Sequence, residues 1–517
     1  MIEQILSQLT AGKVLILLGA FLVVRHVTLT AYADYKIRKL GHRAPSRFTF
    51  VPFGLNFIYS AIKAAREHKN LELWRDLMLN YGNKNNPYTV ESSAGGRRII
   101  LTADPDNIKA ILATQFGDYG KGEPFHQEWK DFLGDSIFVT DGQLWHNSRQ
   151  LIRPQFIKDR LSDIHTFETH VQKLIPKFRG RANGASVNVS DLFFKYTLDA
   201  ATDFLLGKSV DSLEMEENKF ANDFAEVQRI QSIITRAGSL NWLIPRKNFY
   251  ACLGRMEEFL QPIIERTIAL SPEELESKGK TEEGYTFLHA LANYTKDKKV
   301  LRDQLVAVLL AGRDTTACTL MWTIHELSHA PNVVKKLREE ILAVVGPTRQ
   351  PSYEDLKSMR YLQHVINEIL RLYPVVPFNV RLALKDTTLP RGGGPDGNEP
   401  IGILKDTPIG YSTLLMQRRP DLYPSESSGF PPVNSFVPER WDGWTPKSWT
   451  YIPFNGGPRI CIGQQFALTE MGYTLTRVFQ TYTRVEDRMG GVMPRMRADI
   501  VLQPAEDVMV EFFQDKE

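Results

Sequence analysis

The chain has 517 residues, 43% of them hydrophobic and 24% charged, a composition typical of folded globular proteins that excludes a disordered chain. The 63 basic and 60 acidic side chains leave a net charge of +3, which gives no reason to expect nucleic acid as a partner. Cys252, Cys318 and Cys461 are few, odd in number and far apart, so a disulfide framework is not expected and a reducing compartment is favoured. No C-x-x-C pair offers the usual structural zinc ligands.

An uninterrupted apolar run at residues 14–24, VLILLGAFLVV, predicts a membrane-anchor helix. Extended back to Ile5, the segment reaches the roughly 20 residues needed to cross the hydrocarbon core of a bilayer. Only Glu3 precedes it, whereas six basic residues follow it: Arg25, Lys36, Arg38, Lys39, Arg43 and Arg47. By the positive-inside rule, this asymmetry predicts a single-pass anchor with the rest of the chain in the cytoplasm.

Two other interpretations of this run are weaker. A signal peptide could be cleaved at Ala31-Tyr32-Ala33, but Arg25 and His26 interrupt the approach to that site. A buried core helix rarely begins a chain with such asymmetric charge. An uncleaved signal anchor is therefore the prediction.

Helical periodicity dominates the rest of the chain, and it predicts one large, mainly helical domain with a minor sheet. Helices are predicted over 190–213, 301–330 and 353–374, the first capped by Ser190 and the last by Ser352. Alternating or turn-rich stretches indicate shorter elements: strands at 97–103 and 407–415, and loops or hairpins at 80–90 and 389–400.

The centre of the 301–330 helix, LLAGRDTTAC, breaks the apolar pattern around it. A helical glycine costs roughly 1 kcal/mol relative to alanine, so Gly312 suggests that something approaches the backbone there. Asp314 and Thr315 would then form a polar notch able to hold water or pass protons. The alternative is a polar stripe facing the surface, a description that suits Thr316.

Three charged patterns can be interpreted either as sites or as ordinary helix surfaces. Trp145 and Arg149, four residues apart, share a helical face that could bind an anion, although any amphipathic helix has this spacing. Glu368 and Arg371 can pair at i, i+3, and exposed pairs of this kind contribute little. The segment FVPERW supplies a further arginine, Arg440, in a turn bracketed by proline.

The stretch FNGGPRICIG at 454–463 surrounds Cys461 with glycines, a proline and an arginine. The cysteine count argues against a disulfide, and the turn-forming glycines with Arg459 argue against an inert core residue. A nucleophile needs a base, and no histidine stands nearby in the sequence, although a distant one could fold close. A metal ligand and a nucleophile therefore both stay open for Cys461 on these residues alone.

Taken together, these segments resemble the cytochrome P450 family over essentially the whole chain. The cysteine-ligand motif of that family, F-x-x-G-x-R-x-C-x-G, is met by Phe454, Gly457, Arg459, Cys461 and Gly463. AGRDTT matches the oxygen-activation motif, EILR the E-x-x-R motif, and FVPER the segment that completes a Glu-Arg-Arg triad. Finer details are similar to the fungal microsomal branch that includes alkane and fatty-acid hydroxylases.

The resemblance implies a mainly α fold with a small β region, the cytochrome P450 fold, preceded by an N-terminal membrane-anchor helix. We accordingly expect an anchor at 1–30, a basic linker at 31–50 and a haem-binding catalytic domain at 51–517. The expected location is the endoplasmic reticulum membrane, with the catalytic domain facing the cytoplasm.

The resemblance also assigns roles to individual residues. Cys461 would be the thiolate ligand of haem b iron, shielded from water by Phe454. The haem propionates would be bound by four residues: Arg459, Trp145, Arg149 and Arg381. Ala311 and Gly312 would make room for dioxygen, and Asp314 and Thr315 would deliver protons. The structural triad would be Glu368, Arg371 and Arg440.

The implied activity is insertion of one oxygen atom from O2 into a C–H bond of a lipophilic substrate. A long-chain alkane or fatty acid is favoured, and a polyketide or terpenoid intermediate of fungal secondary metabolism is the alternative. Since no nicotinamide fingerprint is present, electrons are expected from a separate NADPH–cytochrome P450 reductase, with cytochrome b5 as a further candidate partner.

A haem-thiolate isomerase or dehydratase and a non-catalytic haem-binding protein are weaker alternatives, because neither needs the Asp314–Thr315 pair. The pocket walls are expected from four largely apolar stretches: 134–143, 215–250, Val308 and 375–380.

Overall fold

The computed structural model describes residues 11–46, 54–156, 164–179, 185–281, 285–424 and 426–514. These residues form two compact units. The first comprises the described residues of Met1–Ile58, Asp76–Gly120 and Arg381–Gly410, and the second those of Tyr59–Arg75, Lys121–Val380 and Tyr411–Glu517. Both units draw on 51–517, the segment predicted to be one domain.

Helices make up most of the described chain, as predicted. In chain order they are α1 (Ala11–Leu40), α2 (Leu55–Glu67), α3 (Asn70–Tyr81), α4 (Pro105–Lys109), α5 (Glu123–Leu133), α6 (Gly142–Ile152), α7 (His165–Leu174), α8 (Val189–Leu206), α9 (Lys219–Ala237), α10 (Lys247–Ile268), α11 (Pro272–Thr281), α12 (Phe287–Ala292), α13 (Lys298–His329), α14 (Pro331–Val344), α15 (Tyr353–Ser358), α16 (Arg360–Leu372), α17 (Thr413–Met416) and α18 (Gln464–Thr481).

The strands are short and form several small sheets. They are β1 (Thr89–Ala94), β2 (Arg97–Thr102), β3 (Tyr119–Gly120), β4 (Val187–Asn188), β5 (Phe378–Ala383), β6 (Thr387–Gly393), β7 (Glu399–Ile403), β8 (Pro408–Ser412), β9 (Arg484–Asp487), β10 (Met496–Ala498), β11 (Leu502–Pro504) and β12 (Met509–Phe513). The strand orders are β1-β2-β8-β5-β3, β4-β12-β9, β6-β7 and β10-β11. The mainly α class with a small β region is confirmed.

The N-terminal helix α1 has the length and composition of a membrane span. An 18-residue window within Val14–Leu40 has a mean hydropathy of 2.1, and none of that window is buried. The helix runs past residue 30 into the segment predicted as a linker, where Ile37 is buried and Arg43 pairs with Asp34 at 3.1 Å. Among the described residues, only α13 also passes this test, and it is mostly buried, as a core helix is.

The buried helix α13 is the centre of the second unit. Asp297 caps its N-terminus by accepting hydrogen bonds from the amides of Lys299 and Val300. The helix packs most extensively on α8 and also contacts α16 and α18. The predicted helix over 301–330 is therefore confirmed, three residues longer at its N-terminus.

One of the two predicted helix caps is confirmed, and one predicted helix is divided in two. Helix α8 is capped by Asn188, whose side chain accepts from the amide of Ser190, so the prediction of Ser190 as the cap is wrong. Ser352 does cap α15, in a capping box with Asp355. The helix predicted over 353–374 is interrupted at Met359, whose ψ of 91° is not helical.

The predicted strands at 97–103 and 407–415 are present as β2 and β8, although α17 takes over at Thr413. The turn-rich stretch 389–400 belongs to the β6–β7 hairpin, which is irregular between Leu389 and Gly393. The glycines of that stretch permit this irregularity because they tolerate unusual backbone angles.

Candidate functional site

The cysteine loop is held by its own backbone. Asn455 and Gly457 take positive φ angles of 65° and 63°, which turn the chain sharply before the short helical turn Gly457–Arg459. The amide of Cys461 then donates to the carbonyl of Phe454 at 2.9 Å, which closes the loop. Helix α18 begins directly after Gly463. The cysteine is thus presented by a closed turn at the start of a long helix.

The thiol of Cys461 differs from the other two cysteines. All three are free thiols, but Cys252 and Cys318 are buried in the packing, whereas the surface of Cys461 is accessible. Even so, desolvation by the surrounding protein raises the pKa of the Cys461 thiol. The amide of Gly463 and the charge of Arg149 act in the opposite direction. Both groups would stabilise a sulfur carrying negative charge.

Two predicted anion-binding residues on α6 lie beside this loop. Arg149 donates through Nη1 to the carbonyl of Ile460 at 3.0 Å. The guanidinium carbon of Arg459 lies 4.7 Å from the ring centroid of Trp145, a cation–π contact. The structure therefore brings together Trp145, Arg149, Arg459 and Cys461, which come from two distant segments.

Asp141 is a site residue that the sequence did not reveal. Arg459 donates through Nη2 to Asp141 Oδ1 at 2.5 Å and to the carbonyl of Thr140 at 3.0 Å. The same carboxylate accepts the amides of Lys121 and Gly122 at 3.0 and 2.8 Å. Asp141 stands at the N-cap position of α6, but its side chain makes no capping hydrogen bond to that helix. It holds the cysteine loop to the start of that helix.

The donor set at the loop fits a haem. A single accessible sulfur with an amide directed toward it suits an iron ligand, and the guanidinium groups of Arg149 and Arg459 suit propionate carboxylates. Phe454 is half-buried and packs against the core beside the loop. Arg381 is buried on β5 in the first unit, and its role toward haem stays a prediction.

The polar residues at the centre of α13 contact their own helix and its neighbour, so they do not line one open polar notch. The hydroxyl of Thr315 donates to the carbonyl of Ala311 at 2.7 Å, one turn back in the helix. A Cβ added at Gly312 would meet only Ala201 of α8, at 3.7 Å, so this glycine faces the neighbouring helix. Thr316 is 2% exposed, and the suggestion that it faces the surface is wrong.

Asp314 is buried beside a cation, Arg313, which was not among the predicted site residues. Arg313 donates through Nη1 to Asp314 Oδ1 at 3.0 Å, and its guanidinium lies 4.8 Å from the ring of Phe194. Burial raises the pKa of Asp314, while Arg313 and the side chain of Gln228 on α9 partly oppose that rise. The adjacent charges of Arg313 and Asp314 were visible in AGRDTT, but not that both are buried.

The E-x-x-R pair is fully buried, so it is not one of the weak surface pairs. Arg371 donates to both oxygens of Glu368 at 2.8 Å, and both side chains are inaccessible. Arg440 adds a donor at 3.3 Å, which assembles the predicted triad. Its guanidinium also donates to the carbonyl of Pro432 at 2.8 Å, and Arg371 donates to Val433 at 2.7 Å. The triad therefore ties the segment before the cysteine loop to α16.

Trp441 is a fourth member that the motif did not reveal. Its indole Nε1 donates to Glu368 Oε2 at 3.0 Å, and the amide of Val437 donates to Oε1 at 3.2 Å. The carboxylate thus receives donors from two arginines, an indole and a backbone amide. Trp441 directly follows Arg440 in FVPERW, which was the available signal.

The comparison with protein families decides the identity. The Cytochrome P450 family model matches residues 52–512. The chain belongs to the cytochrome P450 family. P450 enzymes use haem and O2, with electrons from a redox partner, so the expected class of partner and cofactor follows from membership.

Named relatives place this P450 among fungal monooxygenases. Cytochrome P450 monooxygenase pvhE of Talaromyces variabilis is 48% identical, over 94% of this chain and 92% of its own length. Cytochrome P450 52A13 of Debaryomyces hansenii is 38% identical, over 94% of each chain. Cytochrome P450 52A10 of Candida maltosa is 39% identical, over 91% of this chain and 92% of its own. The protein is a P450 monooxygenase.

The predicted substrate walls of this P450 carry accessible apolar side chains. In the second unit, Phe138 of the first wall segment and Val376 and Val380 of the last are exposed. A separate cavity of 380 Å³ has a largely charged lining: Lys130, Gly134, Glu257, Gln261, Ile264, Lys298, Lys299, Arg302 and Asp303. It includes only Gly134 of the predicted walls, so it is not the expected lipophilic pocket.

Proposed function

We propose that this P450 inserts one oxygen atom of O2 into a C–H bond of a lipophilic substrate, with a long-chain alkane or fatty acid favoured. The observation that carries the proposal is the accessible thiol of Cys461, set in a closed loop beside Arg149 and the amide of Gly463. When bound, haem b supplies the oxygen-activating chemistry at an iron held by a cysteine thiolate.

The surrounding side chains would hold and orient the haem. Beside the Cys461 loop lie two arginines and an indole: Arg459, Arg149 and Trp145. Their guanidinium and indole N–H groups would donate to the propionate carboxylates of the haem. Arg459 already binds Asp141, so a propionate would be a second anion at this guanidinium. Arg381 is the fourth residue proposed for this role. Phe454 would keep water from the sulfur.

Thr315 and Asp314 would move protons on the oxygen side. Thr315 now donates to Ala311, so acting as a donor toward oxygen requires that this internal bond be released. Asp314 would resupply the proton, and its raised pKa suits an acid that holds a proton closer to neutral pH. Ala311 supplies little side-chain bulk at this turn, which would leave room for a small ligand, and Gly312 is proposed for the same role on the family motif alone.

The substrate class rests on two observations. The predicted wall segments leave Phe138, Val376 and Val380 accessible, which suits an apolar molecule. The resemblance to the fungal alkane and fatty-acid hydroxylase branch favours a long chain. The 52A relatives named above are 38 and 39% identical, and pvhE is 48% identical. An intermediate of secondary metabolism is the second candidate, because the resemblance to this fungal branch also fits such pathways.

Electrons would come from an NADPH–cytochrome P450 reductase, with cytochrome b5 as a further donor. The membrane would be that of the endoplasmic reticulum, spanned by the exposed apolar part of α1 with the catalytic domain in the cytoplasm. The domain division proposed is an anchor at 1–30, a basic linker at 31–50 and a haem domain at 51–517.

The activity is tested with purified full-length protein, NADPH and a P450 reductase. Hexadecane, hexadecanoic acid, a polyketide and a sesquiterpene are offered separately, and oxygenated products are detected by mass spectrometry. We expect NADPH-dependent hydroxylation of hexadecane or hexadecanoic acid, and none with Cys461→Ala. Turnover of only the polyketide or terpene would support the second candidate. A product formed without O2 or NADPH would favour an isomerase or dehydratase.

The membrane topology needs its own experiment. Full-length protein in microsomes should resist carbonate extraction, and a glycosylation acceptor site appended after Glu517 should stay unmodified. A variant with charge reversal at Arg25, Lys36, Arg38 and Lys39 is the matched control, because it removes the asymmetry on which the orientation depends. Glycosylation of the unaltered protein would contradict the proposed orientation.

A further inference from the structure

Glu470 is a buried carboxyl group to which the proposed mechanism gives no role. It lies on α18, nine residues after Cys461, and is 2% exposed. Within the described part of the chain, Glu470 forms no salt bridge, and its Oε2 atom has no hydrogen-bond partner. Buried carboxylates are normally paired, so an unpartnered one calls for an explanation.

The groups around Glu470 are polar but uncharged. Across from it on α13 is Thr316, whose side chain interacts with the carboxyl group. From α8, Tyr196 faces the same region, and its hydroxyl is 2.9 Å from that of Thr474 on α18. Thr474 in turn donates to the carbonyl of Glu470 at 2.8 Å. No nearby cation in this set would favour an ionised carboxylate.

Two acidic residues on helices that contact α18 have their own partners. Glu168 of α7 accepts from Tyr473 and from both Nε and Nη2 of Arg477, the latter two at 3.0 Å. Asp314 of α13 pairs with Arg313. Each of these charged groups therefore has a partner other than Glu470.

Glu470 therefore holds a proton at neutral pH. Burial raises the pKa of its carboxyl group to about 8, and the interaction with Thr316 opposes part of that rise. A neutral carboxylic acid can donate a hydrogen bond, which an ionised carboxylate cannot. The hydroxyl of Thr316 on α13, which interacts with this carboxyl group, is able to accept that hydrogen bond.

We propose that Glu470 is a positioning residue that, as a neutral acid, donates to Thr316 and fixes α13 against α18, the helix that follows the Cys461 loop. Thr316 directly follows Thr315, so this contact sets the position of the proposed proton-delivering hydroxyl relative to the cysteine side of the site. For the role of Thr315 the inference rests on the proposed function. When Glu470 ionises, we expect oxygen to be consumed with less product formed and more hydrogen peroxide released.

The direction of the pH dependence follows from the raised pKa. The unfolded chain loses the Glu470 proton at a lower pH than the folded protein does, so the folded state loses stability as the pH rises toward about 8. Above that pH the folded protein carries an unpartnered buried charge. The contact with Thr316 should then weaken, and Thr315 should lose its place.

The test measures hydrogen peroxide released per NADPH consumed by the full-length holoenzyme with its reductase, from about pH 6.5 to about pH 9.5. Using this ratio removes the pH dependence of the reductase rate. For the unaltered protein we expect the peroxide share to rise several-fold through a single titration near pH 8. Glu470→Gln keeps a neutral donor of the same shape, so its peroxide share should stay at the low level across this range.

Matched variants separate positioning from general damage. Thr316→Ser keeps the hydroxyl and should behave like the unaltered protein, whereas Thr316→Val should release more peroxide at every pH. Glu326→Gln neutralises another acid of α13, a half-buried one bonded to Tyr373, and should leave the titration near pH 8 in place. A titration that persists unchanged in Glu470→Gln would overturn the proposal.

Thermal unfolding of the same holoenzymes gives a readout independent of Thr315. The unaltered protein should lose stability between about pH 5 and about pH 8, and Glu470→Gln should remove part of that loss. Identical profiles for the two proteins would contradict a neutral Glu470. If Thr315→Ala releases no extra peroxide at any pH, the proposed proton delivery fails, whatever the Glu470 variants do.

Discussion

Arg313 and Asp314 are neighbours on α13, and the guanidinium group of the first donates to the carboxylate of the second at 3.0 Å. Both side chains are buried, so the candidate proton donor of this P450 carries its own counter-charge. Because Arg313 favours the ionised form of Asp314, it limits how far burial can raise the pKa of that carboxyl group. The ion pair therefore tunes the acid that the family motif identifies.

Replacing Arg313 by Gln should raise the pKa of Asp314. If Asp314 delivers protons in its acid form, the alkaline decline of product formation moves by about 1 pH unit toward higher pH. The measurement is the pH profile of turnover at saturating substrate. Arg302→Gln is the matched control, because Arg302 also pairs with its neighbour, Asp303, on α13 at 3.1 Å. An equal displacement in both variants would count against a specific role for Asp314.

Replacing Thr315 by Ala should leave the thiolate haem spectrum intact and divert oxygen to peroxide. Proton transfer by a positioned side chain typically accelerates a reaction by about 10²- to 10⁴-fold. The amount of product formed per NADPH should therefore fall strongly while NADPH consumption continues. Thr323→Ala removes an equivalent hydroxyl that donates to Thr319 at 2.7 Å on the same helix. That control should stay coupled, and unchanged coupling in Thr315→Ala would sink the assignment.

Replacing Glu368 by Gln should destabilise the fold. The change removes the charge that Arg371 and Arg440 share in a fully buried network. Leaving such charges unpaired costs about 3–5 kcal/mol, so both the unfolding free energy and the haem content should drop. The control is Arg349→Ala, which breaks the exposed pair with Asp355 and should cost at most about 1 kcal/mol. Equal losses in the two variants would contradict the structural role of the triad.

Replacing Arg459 by Ala should weaken haem retention. The change removes the donor to Asp141, the contact with Trp145 and one proposed propionate partner. A charge-assisted hydrogen bond contributes about 1.5–3 kcal/mol, so haem should dissociate faster by 10-fold or more, measured by transfer to apomyoglobin. Asp141→Asn separates the two roles, because it loosens the loop without removing the arginine. If Arg459→Ala lost haem as slowly as the unaltered protein does, the proposed propionate contact would be ruled out.

His325 should make the fold sensitive to mild acid. Burial lowers its pKa to about 4, the charge of His329 acts in the same direction, and Asp487 opposes both. The unfolded chain takes up this proton at a higher pH than the folded protein does, so stability is lost as the pH falls from about 6.5 to about 4. The loss is on the order of 3 kcal/mol, and His325→Gln should remove much of it in acid-unfolding profiles. The exposed His165, changed to Gln, should leave the profile unaltered.

Features carried by local spacing were predictable. The cysteine loop, the E-x-x-R pair and the long α13 helix depend on residues within one or two turns of each other, and all three are present where the sequence indicates. The turn at Gly457 follows from the glycine itself, whose positive φ other residues rarely adopt. Where the same local reasoning failed, a neighbouring residue competed for the role, as Asn188 did with Ser190 at the start of α8.

Partners that meet only in the folded chain were beyond such reasoning. A helical period tells which residues share a face, but not which helix covers that face. Thr316 looked like a surface residue until α18 was seen to place Glu470 against it. Asp141 carried no sequence signal, and only the folded chain places it against Arg459 of the cysteine loop.

The sequence by itself therefore determined the family, the iron ligand expected at Cys461 and the polar turn of α13, because those motifs are short and their chemistry demands particular residue types. Only the tertiary structure decided the charge state of the groups around them. That state depends on burial and on counter-charges: Arg313 stands beside Asp314, two arginines and Trp441 surround Glu368, and within the described residues no cation pairs with Glu470.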